Sequence, residues 1–312
     1  MVSTELCRNF VFRGRCGYAS CCFLHDEAAR QQVKPPAAEP PNKSVATSSL
    51  WRAEETMPDA SANKMPASIR YLLDGESVQR NPYLKEFSGA PWLPRLLAAP
   101  ACSRLFNVQG KRLRKELTEA FGLLHACKRA LKKLQESLES THDEGRGVTI
   151  VDLCCGKGFS SLVLACSMPQ ANVLAVDRNA KMDLSHFNVC ENLRFQHMDL
   201  ESPKLATDLA ATLDGSSLVL LVGVHLCGML SIYATRLFKQ MTCPSALILA
   251  PCCLDKRLPG IKERARRLRL NPYTYWCLTL LMEELPICRR ELLQDDDVWS
   301  ERNSFILGVK SG

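Results

Sequence analysis

The stretch Val151-Asp152-Leu153-Cys154-Cys155-Gly156-Lys157-Gly158 decides the fold of this chain. It continues an apolar run that starts at Val148, and a helical pattern begins directly after it, near Phe159. Glycines in a turn between a strand and a helix let the backbone approach a ligand closely, and the helix N-terminus presents free N–H groups to it. The sequence therefore predicts a ligand-binding turn with these candidate contacts: Asp152, Cys154, Gly156 and Gly158.

Strand and helix patterns alternate around this turn and after it. Five strand patterns lie at residues 148–153, 172–176, 193–197, 217–224 and 246–250. A helical pattern and two more strand patterns follow near 260–284, 287–293 and 303–310. Strands that alternate with helices form a parallel sheet covered on both faces, and we expect the last two strands to pair antiparallel. The prediction is an α/β, Rossmann-like sheet, mostly parallel, with an antiparallel C-terminal pair.

A long amphipathic helix precedes the first strand. Its apolar positions recur in steps of four and three from Leu113 to Leu138. The opposite face carries five basic residues: Lys115, Lys128, Arg129, Lys132 and Lys133. The pattern fits a coiled-coil dimer, or a helix packed on the following sheet with its basic face in solvent. Ala120, Gly122 and Cys127 would make a poor coiled-coil seam, so we expect the second. Short helices and turns are expected over 68–102.

Carboxylates at the ends of later strands narrow the choice of ligand. Asp177 ends the second strand about 20 residues after the turn, where an acid accepts hydrogen bonds from ribose hydroxyls. Asp199 follows the third strand, where an acid can accept from an adenine amino group. Asp152 would orient the turn or contact the cofactor's amino group, and a helix cap is the plain alternative for any one acid. Together they favour S-adenosylmethionine over a dinucleotide.

A histidine and three cysteines follow the fourth and fifth strands: His225, Cys227, Cys252 and Cys253. Ligands of open α/β sheets sit outside the carboxyl ends of the strands, so we expect these residues to line the cleft of the methyl acceptor. His225 could act as general base towards a ribose hydroxyl or a ring nitrogen. A thiolate at Cys227 or Cys252 could instead attack C6 of a pyrimidine, or the four side chains could hold a metal. Packing of small residues at the sheet edge is the fourth possibility.

These motifs resemble those of class I methyltransferases, from whose commonest glycine pattern Cys154 departs. His-Leu-Cys-Gly at 225–228 and the cysteine pair at 252–253 are similar to a eukaryotic group. That group includes tRNA 2′-O-ribose methyltransferases with N-terminal zinc modules and the methyltransferase domain of glutathione-S-transferase-C-terminal-domain-containing proteins. Two later segments resemble the latter more closely: Asn271–Leu278 and Asn303–Leu307. The resemblance covers about residues 105–310 and implies methyl transfer from S-adenosylmethionine, with tRNA as the first expected substrate.

The first 30 residues carry a metal-ligand pattern. Three cysteines and a histidine have the spacing of a CCCH zinc finger: Cys7, Cys16, Cys21 and His25. A module this short lacks an adequate core, and a tetrahedral Zn²⁺ site supplies the folding energy instead. Cys22 is an alternative ligand, but the three-residue gap before the histidine favours Cys21. Aromatic rings interleaved with arginines over residues 8–23 suit single-stranded RNA, and protein binding is the alternative.

Composition limits the class of protein. The 312 residues are 46% hydrophobic, include 16 cysteines and carry a net charge of +7. That suffices for a globular core and mildly favours an acidic partner such as nucleic acid. No apolar run reaches the ~18 residues of a membrane span, and the N-terminus lacks a signal-peptide pattern. We expect an intracellular protein, cytoplasmic or nuclear, without membrane contact and with reduced cysteines; the sequence does not specify its oligomeric state.

The chain divides into a zinc finger at 1–30, a flexible linker at 31–67, a helical lead-in region at 68–145 and an S-adenosylmethionine-dependent methyltransferase domain at 146–312. We interpret it as an RNA methyltransferase of tRNA processing whose finger captures RNA. A basic run from Lys256 to Arg269 could steer phosphates or be a solvated helix face. One alternative is an RNA-binding protein with an idle methyltransferase fold. Another is a methyltransferase acting on protein or a small molecule.

Overall fold

The structure of the chain is a computed structural model. The residues it describes are 66–73, 75–138, 147–213, 216–254, 260–285 and 289–311. The expected zinc ligands Cys7, Cys16, Cys21 and His25 lie outside these residues, as does nearly all of the expected linker. Among the described helices, none is long and apolar enough to cross a membrane.

One sheet organises the described residues. Its strands are β1 (Val148–Leu153), β2 (Asn172–Asp177), β3 (Leu193–His197), β4 (Leu218–Val224), β5 (Ser245–Ala250), β6 (Arg289–Gln294) and β7 (Ser304–Lys310). Within the described ranges, these seven strands lie in the order β3-β2-β1-β4-β5-β7-β6. Neighbours among β1 to β5 pair parallel, whereas β7 pairs antiparallel with both β5 and β6. The mostly parallel sheet with an antiparallel C-terminal pair is confirmed.

The central strands are apolar because the sheet is covered on both faces. Every residue of β1 and of β5 is buried. Alternate side chains of β1 enter two different cores, Val148 and Ile150 on one face and Val151 and Leu153 on the other. A strand that buries both faces has no solvent side to require polar residues, so it reads as a continuous apolar run.

Helices cover both faces of the sheet. Those preceding it are α1 (Ala67–Leu73), α2 (Glu76–Arg80), α3 (Pro82–Ser88), α4 (Leu93–Ala98), α5 (Pro100–Phe106) and α6 (Gly110–Ser137). Those within it are α7 (Phe159–Ser167), α8 (Leu205–Thr212), α9 (Met229–Gln240), α10 (Ile261–Arg267) and α11 (Pro272–Thr279). Helices α6 and α7 contribute to one core, and α8, α9 and α11 contribute to the other.

The long helix α6 is buried on more than the one face that its periodicity predicts. It packs on β4, β5 and β7, as expected of a helix that covers the sheet. Yet every residue from Leu117 to Leu124 is buried, since α1 and α3 pack against other sides of α6. The rings of Phe87 on α3 and Phe121 on α6 meet edge to face, with centroids 6.3 Å apart. The preceding helices therefore take up surface that the sequence assigned to solvent.

The basic residues in the C-terminal half of α6 are mostly solvated, as expected. Lys128, Arg129 and Lys132 are exposed, and Lys133 is half-buried. Arg129 and Lys133 both form ion pairs with Glu291 on β6. These pairs connect the long helix to the edge strand of the antiparallel pair, a contact that helical periodicity alone could not reveal.

The prediction of a single helix after β5 is wrong. The segment contains α10, α11 and a π-helical turn at Leu280–Glu284. Arg269 has a left-handed φ of 55°, which ends the first helix. Pro272 has no N–H to continue a helix, and the Asn271 side chain caps the next one by accepting from the Tyr273 N–H at 2.8 Å.

Candidate active site

The carboxyl ends of β1 to β5 meet at one edge of the sheet because these strands are parallel. Across this edge the predicted site residues follow in the order Asp199 after β3, Asp177 at the end of β2, Asp152 to Gly158 at β1, His225 and Cys227 after β4, and Cys252 after β5. Strands β2 and β3 lie on one side of β1, and β4 and β5 lie on the other, so the strand order reverses between β1 and β4. Open α/β sheets bind ligands at such a switch point. The cofactor candidates lie on one side of this point and the acceptor candidates on the other.

The backbone conformation of the turn after β1 allows a ligand to approach it closely. Cys154, Gly156 and Gly158 have positive φ angles of 56°, 53° and 69°. A Cβ at Gly158 would collide with the ring of Phe187, whereas a Cβ at Gly156 would meet nothing within 4 Å. Gly156 therefore borders open space, as expected of a turn that receives a ligand. Cys154, a non-glycine residue in this conformation, costs about 1 kcal/mol of backbone strain.

The carboxylates of Asp177 and Asp199 lie at the strand edge and also accept hydrogen bonds from backbone N–H groups. Asp177 accepts from the N–H of Gly156 at 3.0 Å and from the N–H of Asn179 at 2.9 Å. Asp199 accepts from the N–H of Glu201 at 3.0 Å. Both acids are half-buried, and each carboxylate oxygen has a second lone pair for another donor. They can therefore order these loops and still accept hydrogen bonds from a ribose or an adenine.

Asp152 is placed to orient the turn. Its carboxylate is only 3% exposed and accepts from the Ser161 hydroxyl of α7 at 2.5 Å. Burial raises the pKa of this carboxyl to about 6, although the hydrogen bonds from Ser161 act in the opposite direction. Asp152 thus ties the end of β1 to the first turn of α7, the two elements that flank the glycine-bearing turn.

The expected base, His225, contacts two residues of α6. Its Nε2 lies 2.9 Å from Oε2 of Glu119 and 3.2 Å from Nζ of Lys115, and that Nζ lies 2.8 Å from Oε1 of Glu119. A single ring nitrogen donates to the carboxylate or accepts from the ammonium, so one proton arrangement holds at a time. Lys115 was expected on a solvated face, and it instead belongs to this cluster.

Glu119 remains a carboxylate despite its burial. Its side chain is 6% exposed, while that of His225 is 40% exposed. Burial alone would raise the pKa of Glu119, but the hydrogen bonds from His225 and Lys115 and the positive charge of Lys115 outweigh it, and the pKa lies below its ordinary value. An ionised Glu119 that accepts the Nε2 proton leaves the lone pair of Nδ1 on an exposed ring. Among the described residues, no group forms a hydrogen bond to that Nδ1.

Three thiols converge beside this histidine. Sγ of Cys227 lies 2.7 Å from Sγ of Cys252, which lies 3.4 Å from Sγ of Cys253. Cys227 and Cys252 both direct a thiol towards the carbonyl oxygen of His225, at 3.4 and 3.6 Å. Burial and the neighbouring thiols raise the pKa of Cys252. A thiol that resists ionisation is a poor nucleophile, so these surroundings do not favour attack on a pyrimidine.

Sequence reasoning missed Glu119 and Lys115. One signal was present, because Glu119 is the single charged residue in the mainly apolar stretch between Leu117 and Leu124. A charged residue at a buried helical position needs a partner. The identity of that partner, His225, could not be read from the sequence, since it lies 106 residues away.

Ion pairs with a glutamate partly neutralise the positive charge of the basic run after β5. Its described part centres on α10, where Arg266 and Arg267 both pair with Glu263. These pairs are exposed and join neighbours three or four residues apart, so each contributes little to stability. Lys262 and Arg264 are also exposed, and the surface of α10 is positively charged.

A cavity of about 170 Å³ lies on the α8 and α9 side of the sheet. Leu200, Pro203, Tyr233 and Arg236 are among the residues that line it. The predicted cofactor and acceptor residues do not line this cavity. It adjoins the loop that follows Asp199.

Residues 117–257 match the family model described as a methyltransferase domain. The match starts two residues before Glu119 and ends beyond the cysteine pair, so it spans the whole strand edge described above. This chain contains an S-adenosylmethionine-dependent methyltransferase domain. The domain's glycine-bearing turn, open beside Gly156 and flanked by Asp177 and Asp199, fits that cofactor.

Several solved methyltransferase structures are similar to the chain at low identity. CurJ carbon methyltransferase is 14% identical over 79% of this chain and 67% of its own, with a TM-score of 0.40. The fibrillarin pre-rRNA processing protein of Methanococcus jannaschii is 11% identical over 55% and 70%, with a TM-score of 0.37. Human N-acetylserotonin methyltransferase is 16% identical over 78% and 67%, with a TM-score of 0.34. No curated protein matches the chain. Likenesses of this size identify neither substrate nor partner.

Proposed function

We propose that the methyltransferase domain methylates RNA, at an acceptor hydroxyl or ring nitrogen whose proton is removed during the transfer. S-adenosylmethionine supplies the methyl group as a sulfonium electrophile. The residues of the chain bind the cofactor, position the acceptor and take up the proton. tRNA is the first substrate to test, on the strength of the resemblance of residues 225–228 and 252–253 to tRNA 2′-O-ribose methyltransferases.

The His225–Glu119 pair is the observation that carries this proposal. A buried carboxylate that accepts from one ring nitrogen fixes the tautomer of a histidine and stabilises the imidazolium that forms when the other nitrogen takes a proton. His225 is exposed and follows β4, across the switch point from the cofactor turn after β1. This arrangement suits acceptors that must lose a proton.

Exposed aromatic residues beside the same cluster support RNA as the substrate class. The guanidinium carbon of Arg114 lies 5.0 Å from the ring centroid of Tyr71 and 5.8 Å from that of Trp299. These two rings are 57% and 40% exposed. The backbone N–H of Trp299 donates to the hydroxyl of Thr118, the residue before Glu119. Exposed rings around a cation form a surface on which unpaired bases stack.

Replacing His225 by glycine tests the base. Its φ of 62° suits glycine, so the variant removes the imidazole without straining the loop. We expect kcat to fall about 100-fold or more, with the affinity for S-adenosylmethionine unchanged, and added imidazole to restore part of the rate. His125→Ala is the matched control, because His125 is also exposed and bonded to a glutamate, Glu86, at 2.7 Å. Full activity of the His225→Gly variant would show that this histidine is not the base.

The acceptor class is tested with RNA itself. Transcribed tRNA and total RNA are incubated with the full chain and labelled S-adenosylmethionine, and the methylated nucleosides are identified by mass spectrometry. We expect Trp299→Ala to raise KM for RNA roughly tenfold through a lost stacking contact, with kcat and cofactor affinity kept. Met282→Ala, which removes another exposed apolar side chain, is the control. Label in protein or small molecules with none in RNA would contradict the proposal.

A further inference from the structure

We propose that Cys227, Cys252 and Cys253 bind Zn²⁺ as three thiolates, with a fourth coordination position left for water or an acceptor atom. The site is distinct from the expected zinc finger in residues 1–30. It lies at the strand edge that receives the methyl acceptor, beyond β4 and β5.

The three sulfur atoms already form a compact group. All of them lie within 4.8 Å of one another, and they come from two different loops. Zn²⁺ bonds thiolate sulfur at about 2.3 Å in tetrahedral geometry, which places neighbouring sulfurs about 3.8 Å apart. The pair Cys252–Cys253 stands at 3.4 Å, and the pair Cys227–Cys252 at 2.7 Å would open by about 1 Å through rotation of a side chain.

Backbone hydrogen bonds hold the two loops together independently of the thiols. The His225 N–H donates to the carbonyl of Ala250 at 2.9 Å, and the Gly228 N–H donates to the carbonyl of Cys253 at 3.1 Å. These bonds lie on either side of Cys227. His225 and Gly228 also have positive φ angles, which turn the first loop back towards the second. The sulfurs therefore meet because the backbone brings them together.

The chemical surroundings fit a soft metal ion. Three soft sulfur ligands select Zn²⁺ over hard cations. Cys227 and Cys253 are exposed, so the ion can enter from solvent.

A second thiol pair in the chain shows the contrast. Cys166, on α7, and Cys190 lie with their sulfurs 3.1 Å apart, but both are buried in the core. Two ligands without access from solvent do not make a zinc site. Close approach of sulfurs alone is thus not the basis of the proposal. The third ligand and the exposure distinguish the cluster at the strand edge.

The test measures zinc in the full chain while removing the expected finger site. In a Cys16→Ser background, elemental mass spectrometry of protein purified with reductant and without chelator should give about one zinc per chain. Adding Cys252→Ser should abolish this zinc, and adding Cys243→Ser, a partly exposed cysteine outside the cluster, should not. Cobalt in place of zinc should give thiolate-to-metal charge-transfer absorption that is lost with Cys252→Ser.

Alkylation of the unmutated chain decides the question even if the Cys252→Ser variant fails to fold. Zinc should slow alkylation of Cys227, Cys252 and Cys253 roughly tenfold or more relative to chelator-treated protein, while Cys243 reacts equally in both. Three results would overturn the proposal: a Cys16→Ser chain without zinc, cluster cysteines that alkylate at the same rate with and without the metal, or a Cys227–Cys252 disulfide in the reduced preparation.

Discussion

Replacing Asp152 by asparagine removes a carboxyl that the fold holds in a desolvated position between β1 and α7. The carboxylate is 3% exposed, and its main hydrogen-bond partner is Ser161. Burial raises its pKa from 3.8 to about 6. Because the pKa is higher in the folded chain, folding takes up a proton between about pH 4 and pH 6. The stability that this group contributes is therefore full in acid and is lost as the pH rises through that window.

The size of the effect follows from the shift. A rise of roughly 2 units, at about 1.4 kcal/mol per unit, means that ionised Asp152 lowers the free energy of unfolding by about 3 kcal/mol at pH 7. At pH 4 the same calculation gives about 0.5 kcal/mol. The Asp152→Asn variant has no such dependence. Its amide leaves an N–H group without the partner that it needs, a cost of about 1–3 kcal/mol that does not change with pH.

The test therefore measures how the stability difference between the variant and the unmutated chain changes with pH. Urea unfolding of both proteins without cofactor, from pH 4 to pH 7, should show the stability of Asp152→Asn relative to the unmutated chain rising by about 2 kcal/mol. All other carboxyls are shared by the two proteins, so their titration cancels. A relative stability that stays constant over this range would refute the claim that the fold holds Asp152 as a desolvated acid.

Three further predictions concern the turn and the finger. Gly158→Ala should destabilise the domain by roughly 2 kcal/mol or more, because its methyl group collides with Phe187. Gly156→Ala should lower the free energy of unfolding by only about 1 kcal/mol. It should nevertheless weaken cofactor binding in calorimetry, because its methyl group enters the open space beside the turn. Equal effects on stability would contradict this account of the turn. Asp177→Ala should lower the affinity for S-adenosylmethionine about 100-fold or more without unfolding the domain, since it also frees the Gly156 N–H; unchanged calorimetric affinity would remove Asp177 from the site. Cys16→Ser should unfold only the finger, so cofactor affinity measured on the full chain should not change; a large loss would mean that the finger supports the domain.

The strand edge was predictable because its signals are local. The central parallel strands are apolar runs that end at turns, and the rule that ligands bind at the carboxyl ends then brings Asp177, Asp199, His225 and Cys252 to one edge. The break at Pro272 was also visible in the sequence, and the expectation of one continuous helix there gave it too little weight. Proline and the capping side chain of Asn271 are as local as any strand signal.

The contacts of α6 were not predictable in this way. The periodicity from Leu113 to Leu138 determines that a helix forms and which side is apolar. It does not determine how the helix is placed over the sheet, nor that α1 and α3 cover other parts of it. Glu119 and Lys115 reach His225 only because α6 crosses the sheet beside β4.

The amino-acid sequence by itself determined the positions of the seven strands, the glycine-bearing turn and the acids at the carboxyl ends of β2 and β3. These depend on residues close together in the chain, where hydrogen bonding and side-chain periodicity act. Only the tertiary structure decided that Glu119 partners His225 and that Cys227 meets Cys252 and Cys253. Those contacts join loops and helices that are distant in sequence, and their distances are set by the packing of whole elements against the sheet.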